Sequence, residues 1–155
     1  MRLHVQRVLI KENSGALRPK WLRFLRGVVD SEDLPLNVSR ETLQDSRAVR
    51  IIKKQIVTQA LSMIEELESE RPEDFLKFWE GFGAILKEGL HFEPEYKERL
   101  AKIARYRTTF EPSLEEAAKT RGWTSLAAYV ERMKEGQPGI YYVEGASLDV
   151  LKKSP

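Results

Sequence analysis

The sequence of 155 residues contains no cysteine. This absence excludes disulfide bonds, thiolate metal sites and a cysteine nucleophile, and it is typical of proteins in reducing compartments. No apolar run approaches the roughly 20 residues that a helix needs to cross a bilayer, so no membrane segment is predicted. The first residues, MRLHVQRVLI, are too short and too charged for a signal peptide. We therefore expect a cytoplasmic protein.

A strong charge of one sign is also missing, because 26 basic residues nearly balance 24 acidic ones and leave a formal net charge of +2. This balance does not support a global attraction to nucleic acids or anionic membranes. The charge is nevertheless sorted along the chain, since residues 40–54 are mainly basic and residues 65–74 mainly acidic. Hydrophobic residues make up 41% of the chain, which is enough for a core, so a globular protein is predicted.

The sequence shows no self-contained catalytic apparatus. His4 and His91 have no acidic or histidine neighbours at the spacing of metal ligands, so we expect ordinary histidines and no metal site. The stretch EGFGAILKEG is not a phosphate-binding loop, because no Lys-Ser or Lys-Thr pair follows its glycines. Ser46 and Ser125 lack plausible partners for a catalytic triad.

The apolar spacing predicts an α/β (α+β) chain whose centre is helical. Residues 3–10 alternate and favour a strand, and Pro19 is typical of the first position of a helix that runs to about residue 29. Further helices are predicted over residues 45–68, 72–89, 94–107 and 125–134. The polar connection 108–124 leaves room for one helical turn, IYYVEG at 140–145 favours a buried strand, and the last residues begin another helix.

Two apolar stripes at helical spacing are predicted to form the core. They are Val49, Ile52, Ile56, Ala60, Ile64 and Leu67 on one helix, and Phe75, Trp79, Phe82 and Leu86 on the next. The alternative for the second stripe is a surface that docks a partner helix.

A basic set on the first helix is expected to be a solvated face, and a nucleic-acid contact is its alternative. This set comprises Arg47, Arg50, Lys53 and Lys54.

The segment GVVDSEDLPLNVSRETLQ contains the polar residues that best suit a functional site. If the chain turns helical ahead of Arg40, then Arg40 and Gln44 lie one turn apart and project from the same face, with Asn37 just before them. Such a group would suit a γ-phosphate, because a guanidinium neutralises its charge while amides orient it. The alternative is an ion pair that only fastens the loop, between Arg40 and either Glu32 or Asp33.

This segment resembles the catalytic loop in the middle domain of the heat-shock-protein-90 family of molecular chaperones, of the bacterial HtpG type. The stretches that carry the resemblance fall in the family's order. They are LHVQRVLI, VRIIKKQIV, FWEGFGAILKEGLH, ARYRT, TSLAAYVERMKEGQPGIYYVEG and LKKSP. The resemblance covers nearly the whole chain and implies a fragment of that middle domain.

The resemblance implies a fold in three parts. Residues 1–44 would end a large α-β-α layered subdomain, similar to domain 2 of ribosomal protein S5, and would carry the catalytic loop. Residues 45–136 would form a helical region, and residues 137–155 would begin a small α/β subdomain. The connection 108–124 departs from the family's sequences, and Leu9 stands where many relatives carry an aromatic residue that supports the docked N-terminal domain.

The resemblance also implies a function. Arg40 would contact the γ-phosphate of ATP, which is bound with Mg by the N-terminal domain, and Asn37 and Gln44 would be its polar partners. The intact protein would be a homodimeric, ATP-hydrolysing chaperone of the stress response that binds unfolded client proteins. The segment alone would bind no ATP and would not be an active enzyme, with no nucleic-acid or membrane partner. The alternative is a helical nucleic-acid-binding or protein-interaction module with no link to ATP.

Overall fold

The computed structural model describes residues 1–11, 15–32, 47–111, 113–145 and 147–151. The strands in these ranges are β1 (Arg2–Val5), β2 (Val8–Lys11), β3 (Val28–Ser31), β4 (Arg105–Arg107) and β5 (Trp123–Ser125). The α-helices are α1 (Arg47–Glu70), α2 (Pro72–Phe92), α3 (Lys97–Ile103), α4 (Leu114–Thr120), α5 (Leu126–Glu131) and α6 (Leu148–Leu151). None of the helices in the described part is long and apolar enough to span a bilayer.

This mixture of helices and small sheets confirms the α/β (α+β) prediction at the level of fold class. One sheet has the strand order β2-β1-β3, and the second consists of β4 and β5. The layering similar to domain 2 of ribosomal protein S5 stays a prediction, as does the division into residues 1–44, 45–136 and 137–155.

The first sheet begins with a hairpin where a single strand over residues 3–10 was predicted. β1 and β2 are antiparallel, and the turn between them is formed by Gln6 and Arg7, whose φ angles are 49° and 67°. Such two-residue turns match the twist of the strands they join, but they usually contain Asn or Gly. Because the pair Gln6-Arg7 contains neither Asn nor Gly, the sequence did not predict a turn, and the alternating pattern was interpreted as one strand.

The prediction of a helix from Pro19 to about residue 29 is wrong. The chain instead forms short 3-10 turns at Gly15–Leu17 and Lys20–Leu22 and then enters β3, which runs parallel to β1 along its whole length. The amide of Arg2 donates to the carbonyl of Gly27 at 2.9 Å, just ahead of this pairing. Pairing with the edge of β1 satisfies the backbone of β3, and its valines favour a strand. Together these contributions outweigh the local helical spacing.

Helix α1 confirms the long helix predicted over residues 45–68, and α2 confirms the one predicted over 72–89. The two are separated by a single residue, Arg71, and Pro72 occupies the first position of α2, where the missing amide hydrogen costs nothing. Glu73 and Asp74 follow in the first turn, where negative charge is favourable. The first two residues of the predicted helix, Asp45 and Ser46, lie outside the described residues.

Helix α1 contributes to two separate apolar clusters. The sheet cluster consists of the buried residues Leu3, Val5, Leu17 and Val49. The helical cluster consists of Trp21, Leu22, Val57, Ala60, Leu61, Ile64, Phe75, Leu76, Trp79, Leu86, Tyr96, Leu100, Ile103 and Ala104. The first turn of α1 therefore packs on the sheet, whereas its later turns pack on α2 and α3.

This double role explains where the predicted stripe of α1 was inaccurate. Three of its members are buried as predicted, namely Val49, Ala60 and Ile64. Three others are only partly buried, namely Ile52, Ile56 and Leu67. The stripe missed Val57 and Leu61, which are buried because α1 faces α2 and α3 as well as the sheet.

The aromatic stripe of α2 is mainly core, as predicted. Phe75, Trp79 and Leu86 are 1%, 2% and 1% exposed, which removes them from any docking surface. Phe82 departs from this prediction, because 39% of it is exposed. Its ring lies 4.8 Å from that of Phe24, at the edge of the helical cluster.

The helix predicted over residues 94–107 ends earlier, at Ile103, and the chain continues as β4. The partner of β4 is β5, which lies at the end of the connection 108–124 and was not predicted. The helical turn expected in that connection is present as α4. The helix predicted over 125–134 is α5, and its cap is Ser125, whose Oγ accepts from the amide of Ala128 at 3.0 Å.

The prediction of a buried strand at residues 140–145 is wrong. This segment forms no strand in the described chain, and Tyr141 and Tyr142 are 68% and 82% exposed. The hydroxyl of Tyr129 accepts from the amide of Tyr141 and from Nε2 of Gln137, both at 3.2 Å, and so holds the start of the segment to α5. β-prone residues need a strand edge to pair with, and no described strand offers one here.

A bidentate ion pair joins α3 to α1. Nε of Arg99 donates to Oε1 of Glu65 at 2.8 Å, and Nη2 of Arg99 donates to Oε2 at 2.7 Å. The same Nη2 donates to Oγ of Ser62 at 3.0 Å. The hydrogen bonds from Arg99 lower the pKa of Glu65, although partial burial opposes this change.

This pair predicts a pH-dependent contribution to stability. Because the pKa of Glu65 is lower in the folded state, its contribution is complete above the unfolded pKa of about 4.3 and is lost as the pH falls through the folded value. Glu65→Gln should cost about 0.5–1 kcal/mol at neutral pH, since both side chains are partly solvated. Urea unfolding should show this cost shrinking below about pH 4. Glu66→Gln is the exposed control, and a cost independent of pH would contradict the assignment.

The packing of Trp79 predicts opposite effects for two glycines of α2. A Cβ atom on Gly83 would lie 2.5 Å from Cε2 of Trp79, whose ring is buried and cannot yield, whereas one on Gly81 would meet nothing within 4 Å. Gly83→Ala should therefore destabilise the protein by about 1–3 kcal/mol. Gly81→Ala should stabilise it by about 0.5–1 kcal/mol, because alanine favours a helix. Equal effects of the two substitutions in denaturant unfolding would refute this packing.

Candidate functional site

The predicted site residues Arg40, Asn37 and Gln44 lie outside the described residues. The structure does describe both ends of the segment that contains them. The chain enters that segment after Glu32, directly beyond β3, and leaves it at Arg47, where α1 begins. The described residues therefore define how the segment is attached.

The upstream end is fixed by the hairpin turn of the first sheet. The amide of Gln6 donates to the carbonyl of Ser31 at 3.3 Å, and the amide of Arg7 donates to Oδ1 of Asp30 at 3.2 Å. The bond from Gln6 continues the parallel pairing of β1 with β3 by one residue beyond Val5. The last strand residues before the segment are thus bound to β1 and to its turn.

The downstream end is fixed by apolar packing. Val49, in the first turn of α1, is 3% exposed and belongs to the same cluster as Leu3 and Val5 of β1. Ala48 and Ile52 are partly buried against this cluster. Full burial of a valine contributes about 1.5–3 kcal/mol relative to exposure, so the first turn of α1 is firmly held on the sheet. Both ends of the segment are therefore attached to one strand, β1.

An open groove of about 590 Å³ separates the two ends. Its wall on the side of β3 carries the acids Asp30 and Glu32, and its wall on the side of α1 begins with Arg47. Its apolar lining residues include Val29 and Ile52. In the part of the chain that is described, no three His, Cys, Asp or Glu side chains lie close enough to hold a metal ion.

The basic set of α1 is partly neutralised by a neighbouring turn. Nζ of Lys54 lies 2.6 Å from Oε1 of Glu95, and this hydrogen bond raises the pKa of Lys54. Arg47 lines the groove described above, and Arg50 is exposed. The pairing removes one of the charges on which a nucleic-acid contact would depend, but it does not test that alternative.

Two cation–ring contacts made by arginines of β4 carried no local signal in the sequence. The guanidinium of Arg105 lies 4.9 Å from the centre of the Phe75 ring, and that of Arg107 lies 3.8 Å from the centre of Trp123. Arg105 also forms an ion pair with Glu68 of α1. The contacts of Arg105 attach β4 to α1 and α2, whereas the contact of Arg107 joins β4 to β5. The pattern ARYR was visible in the sequence, but its ring partners are distant along the chain.

Comparison with known proteins places the chain in a family. The family model described as Hsp90 protein matches residues 1–155, which is the whole chain. The chain therefore belongs to the Hsp90 family, and the recognition made from its motifs is confirmed.

Individual relatives narrow the resemblance within that family. The protein named Chaperone protein HtpG from Myxococcus xanthus is 50% identical over 155 residues, and those from Magnetococcus marinus and Chromobacterium violaceum are 49% and 45% identical. Each alignment covers 100% of this chain. The chain spans only 22%, 23% and 24% of the lengths of these three relatives, respectively.

The attachment of α1 to the sheet can be tested with a pair of substitutions in one helical turn. Val49→Ala removes two buried methyl groups, so it should cost about 1.5–3 kcal/mol of unfolding free energy. Ile51→Ala is the control, because 49% of Ile51 is exposed, and its cost should stay within about 0.5 kcal/mol. Hydrogen exchange should also become faster in β1 of the Val49 variant. Equal costs for both variants would contradict the described packing.

Proposed function

We propose that this chain is the part of an ATP-dependent molecular chaperone that supplies Arg40 to the γ-phosphate of ATP held by an N-terminal domain of the same protein. Asn37 and Gln44 act as polar partners that orient the guanidinium and the phosphate. The proposal is supported by membership in the Hsp90 family and by the relatives named as chaperones. The observation that carries it is the attachment of both ends of the segment to β1.

This attachment matters because of the position of Arg40 within the segment. Residues 33–46 connect the two fixed ends, and Arg40 lies at their middle. A chain extends by at most about 3.3–3.6 Å per residue, so the middle of a tethered segment is the position that can project furthest from its ends. Fixed ends also reduce the conformational entropy that is lost when the segment binds a ligand in another domain.

The chemistry assigned to Arg40 is electrostatic. A guanidinium can donate two parallel hydrogen bonds to phosphate oxygens, and its charge compensates the negative charge on the transferred phosphoryl group. Asn and Gln side chains donate and accept, so they can hold the phosphate and the attacking water in line. ATP and its Mg are assigned to the N-terminal domain. Closure of the two domains would bring Arg40 to the nucleotide, and hydrolysis would release it.

The proposal extends to the partners of the whole protein. These are unfolded or client proteins, bound on apolar or amphipathic surfaces that include this segment, and a second copy of the whole protein in a homodimer. We place the protein in the cytoplasm and in the stress response, with no nucleic-acid or membrane partner. These statements rest on the family resemblance and on the naming of the relatives as chaperones.

The role of Arg40 predicts a specific kinetic defect in the intact protein. Arg40→Ala should lower ATP turnover by roughly 10- to 1000-fold, because a charge on the transferred phosphoryl group loses its partner. Nucleotide affinity should change little, since the nucleotide is held elsewhere. Arg40→Lys should recover only part of the rate, because an ammonium cannot donate in the bidentate geometry.

The control for this experiment is Arg26→Ala, which removes an exposed arginine from the same subdomain. Its turnover should equal that of the unchanged protein. Normal turnover by Arg40→Ala, or an equal loss in both variants, would refute the assignment of Arg40. A loss of nucleotide affinity equal to the loss of turnover would also contradict it, because Arg40 would then act in binding.

A further inference from the structure

Lys87 on α2 lies beside two aromatic rings. Its Nζ lies 4.1 Å from the centre of the Tyr106 ring in β4 and 5.6 Å from the centre of the Trp79 ring. The side chain is only partly exposed. In the part of the chain that the structure describes, no carboxylate lies within ion-pair distance of this ammonium. The ammonium of Lys87 therefore contacts ring faces on one side, where the ammonium of a surface lysine usually contacts water or a carboxylate.

The rings around Lys87 are fixed and remain neutral. Trp79 is pressed against Gly83 on one side and lies 6.5 Å from the ring of Trp123. Burial raises the pKa of Tyr106, so this residue offers no phenolate to balance the ammonium. A ring face attracts a cation but replaces only part of its hydration. Burial accordingly lowers the pKa of Lys87.

Other lysines of the chain have the opposite environment. Nζ of Lys77 lies 3.0 Å from Oδ1 of Asp74, and Nζ of Lys119 lies 2.6 Å from Oε1 of Glu115. Lys54 is likewise paired with Glu95 at 2.6 Å. A neighbouring carboxylate favours the ammonium form, and only the free amine is a nucleophile. Lys87 therefore combines partial exposure with burial that favours the reactive amine form, and no carboxylate of the described chain opposes this effect.

We propose that Lys87 is a modification site that accepts acyl groups from activated acyl donors, namely acyl phosphates and acyl thioesters. The ammonium first loses a proton to solvent. The lone pair of the amine then attacks the carbonyl carbon of the donor, and an N–C bond forms. The C–O bond of an acyl phosphate, or the C–S bond of a thioester, breaks as phosphate or thiolate leaves, and the nitrogen loses its second proton to solvent. The product is a neutral amide between Tyr106 and Trp79.

The proposal has a structural consequence for the contact between α2 and the second sheet. The ammonium of Lys87 is attracted by the ring of Tyr106, and Tyr106 belongs to β4. Conversion to an amide removes the charge that this attraction requires. Acylation would therefore weaken the attachment of β4 to α2 without changing any residue of the loop that carries Arg40.

The test measures the initial acylation rate of each lysine in the full chain with acetyl phosphate. Unreacted amines are then labelled with deuterated acetic anhydride after unfolding, and mass spectrometry gives the two isotopic forms at each site. At neutral pH, Lys87 should react about threefold or more faster than the exposed Lys97 and Lys134, because a larger fraction of it is free amine. This advantage should disappear near about pH 10.5, where exposed lysines also lose their protons.

A matched pair of variants separates this cause from simple accessibility. Ala84 is exposed and lies three residues before Lys87 on α2, so a side chain placed there can reach the ammonium. Ala84→Glu supplies the missing carboxylate and should reduce the Lys87 rate to that of Lys97. Ala84→Gln has the same size without the charge and should keep the fast rate. The proposal is overturned if Lys87 reacts no faster than Lys97 at neutral pH, or if the two variants behave alike.

Discussion

The burial of one face of α1 in two separate clusters is the constraint on which the rest of the structure depends. Val49 attaches the start of the helix to the sheet, while Val57 and Leu61 attach its later turns to α2 and α3. Each fully buried aliphatic side chain contributes about 1.5–3 kcal/mol relative to exposure, so neither attachment can be lost cheaply. A rigid helix of 24 residues that packs on the sheet at its start and on α2 and α3 in its later turns fixes the spacing between these elements.

This constraint also determines where the two ends of the polar segment that contains Arg40 are attached. The segment between β3 and α1 begins and ends on β1, because hydrogen bonds fix one end and apolar packing fixes the other. Functional loops are commonly carried in this way by a rigid scaffold, which lowers the entropy lost on binding. The chain belongs to the Hsp90 family, whose model matches it from end to end. The proposed action of the segment on a nucleotide in a neighbouring domain is argued from both facts.

The sequence predicted the two long helices, α1 and α2, well because their apolar spacing is long and regular. It failed where the deciding contact was distant or carried no local signal. The turn at Gln6 and Arg7 preserves the alternation of the strands that it joins, and the pairing of β3 with β1 overrides a helical pattern. The tyrosines of 140–145 favour a strand but have no described partner. Spacing could select Arg40 as a candidate but could not choose between a nucleotide and the nearby acids Glu32 and Asp33, because spacing does not show which groups distant in sequence the guanidinium meets.

The most direct test of the central claim is a structure of the intact protein with a non-hydrolysable ATP analogue in the closed state. The account predicts that the guanidinium of Arg40 lies about 2.7–2.9 Å from the oxygens of the γ-phosphate, as in charge-assisted hydrogen bonds. It also predicts that Asn37 and Gln44 lie beside the same phosphate. A guanidinium that instead binds Glu32 or Asp33 of its own loop, away from the nucleotide in the closed state, would contradict the account.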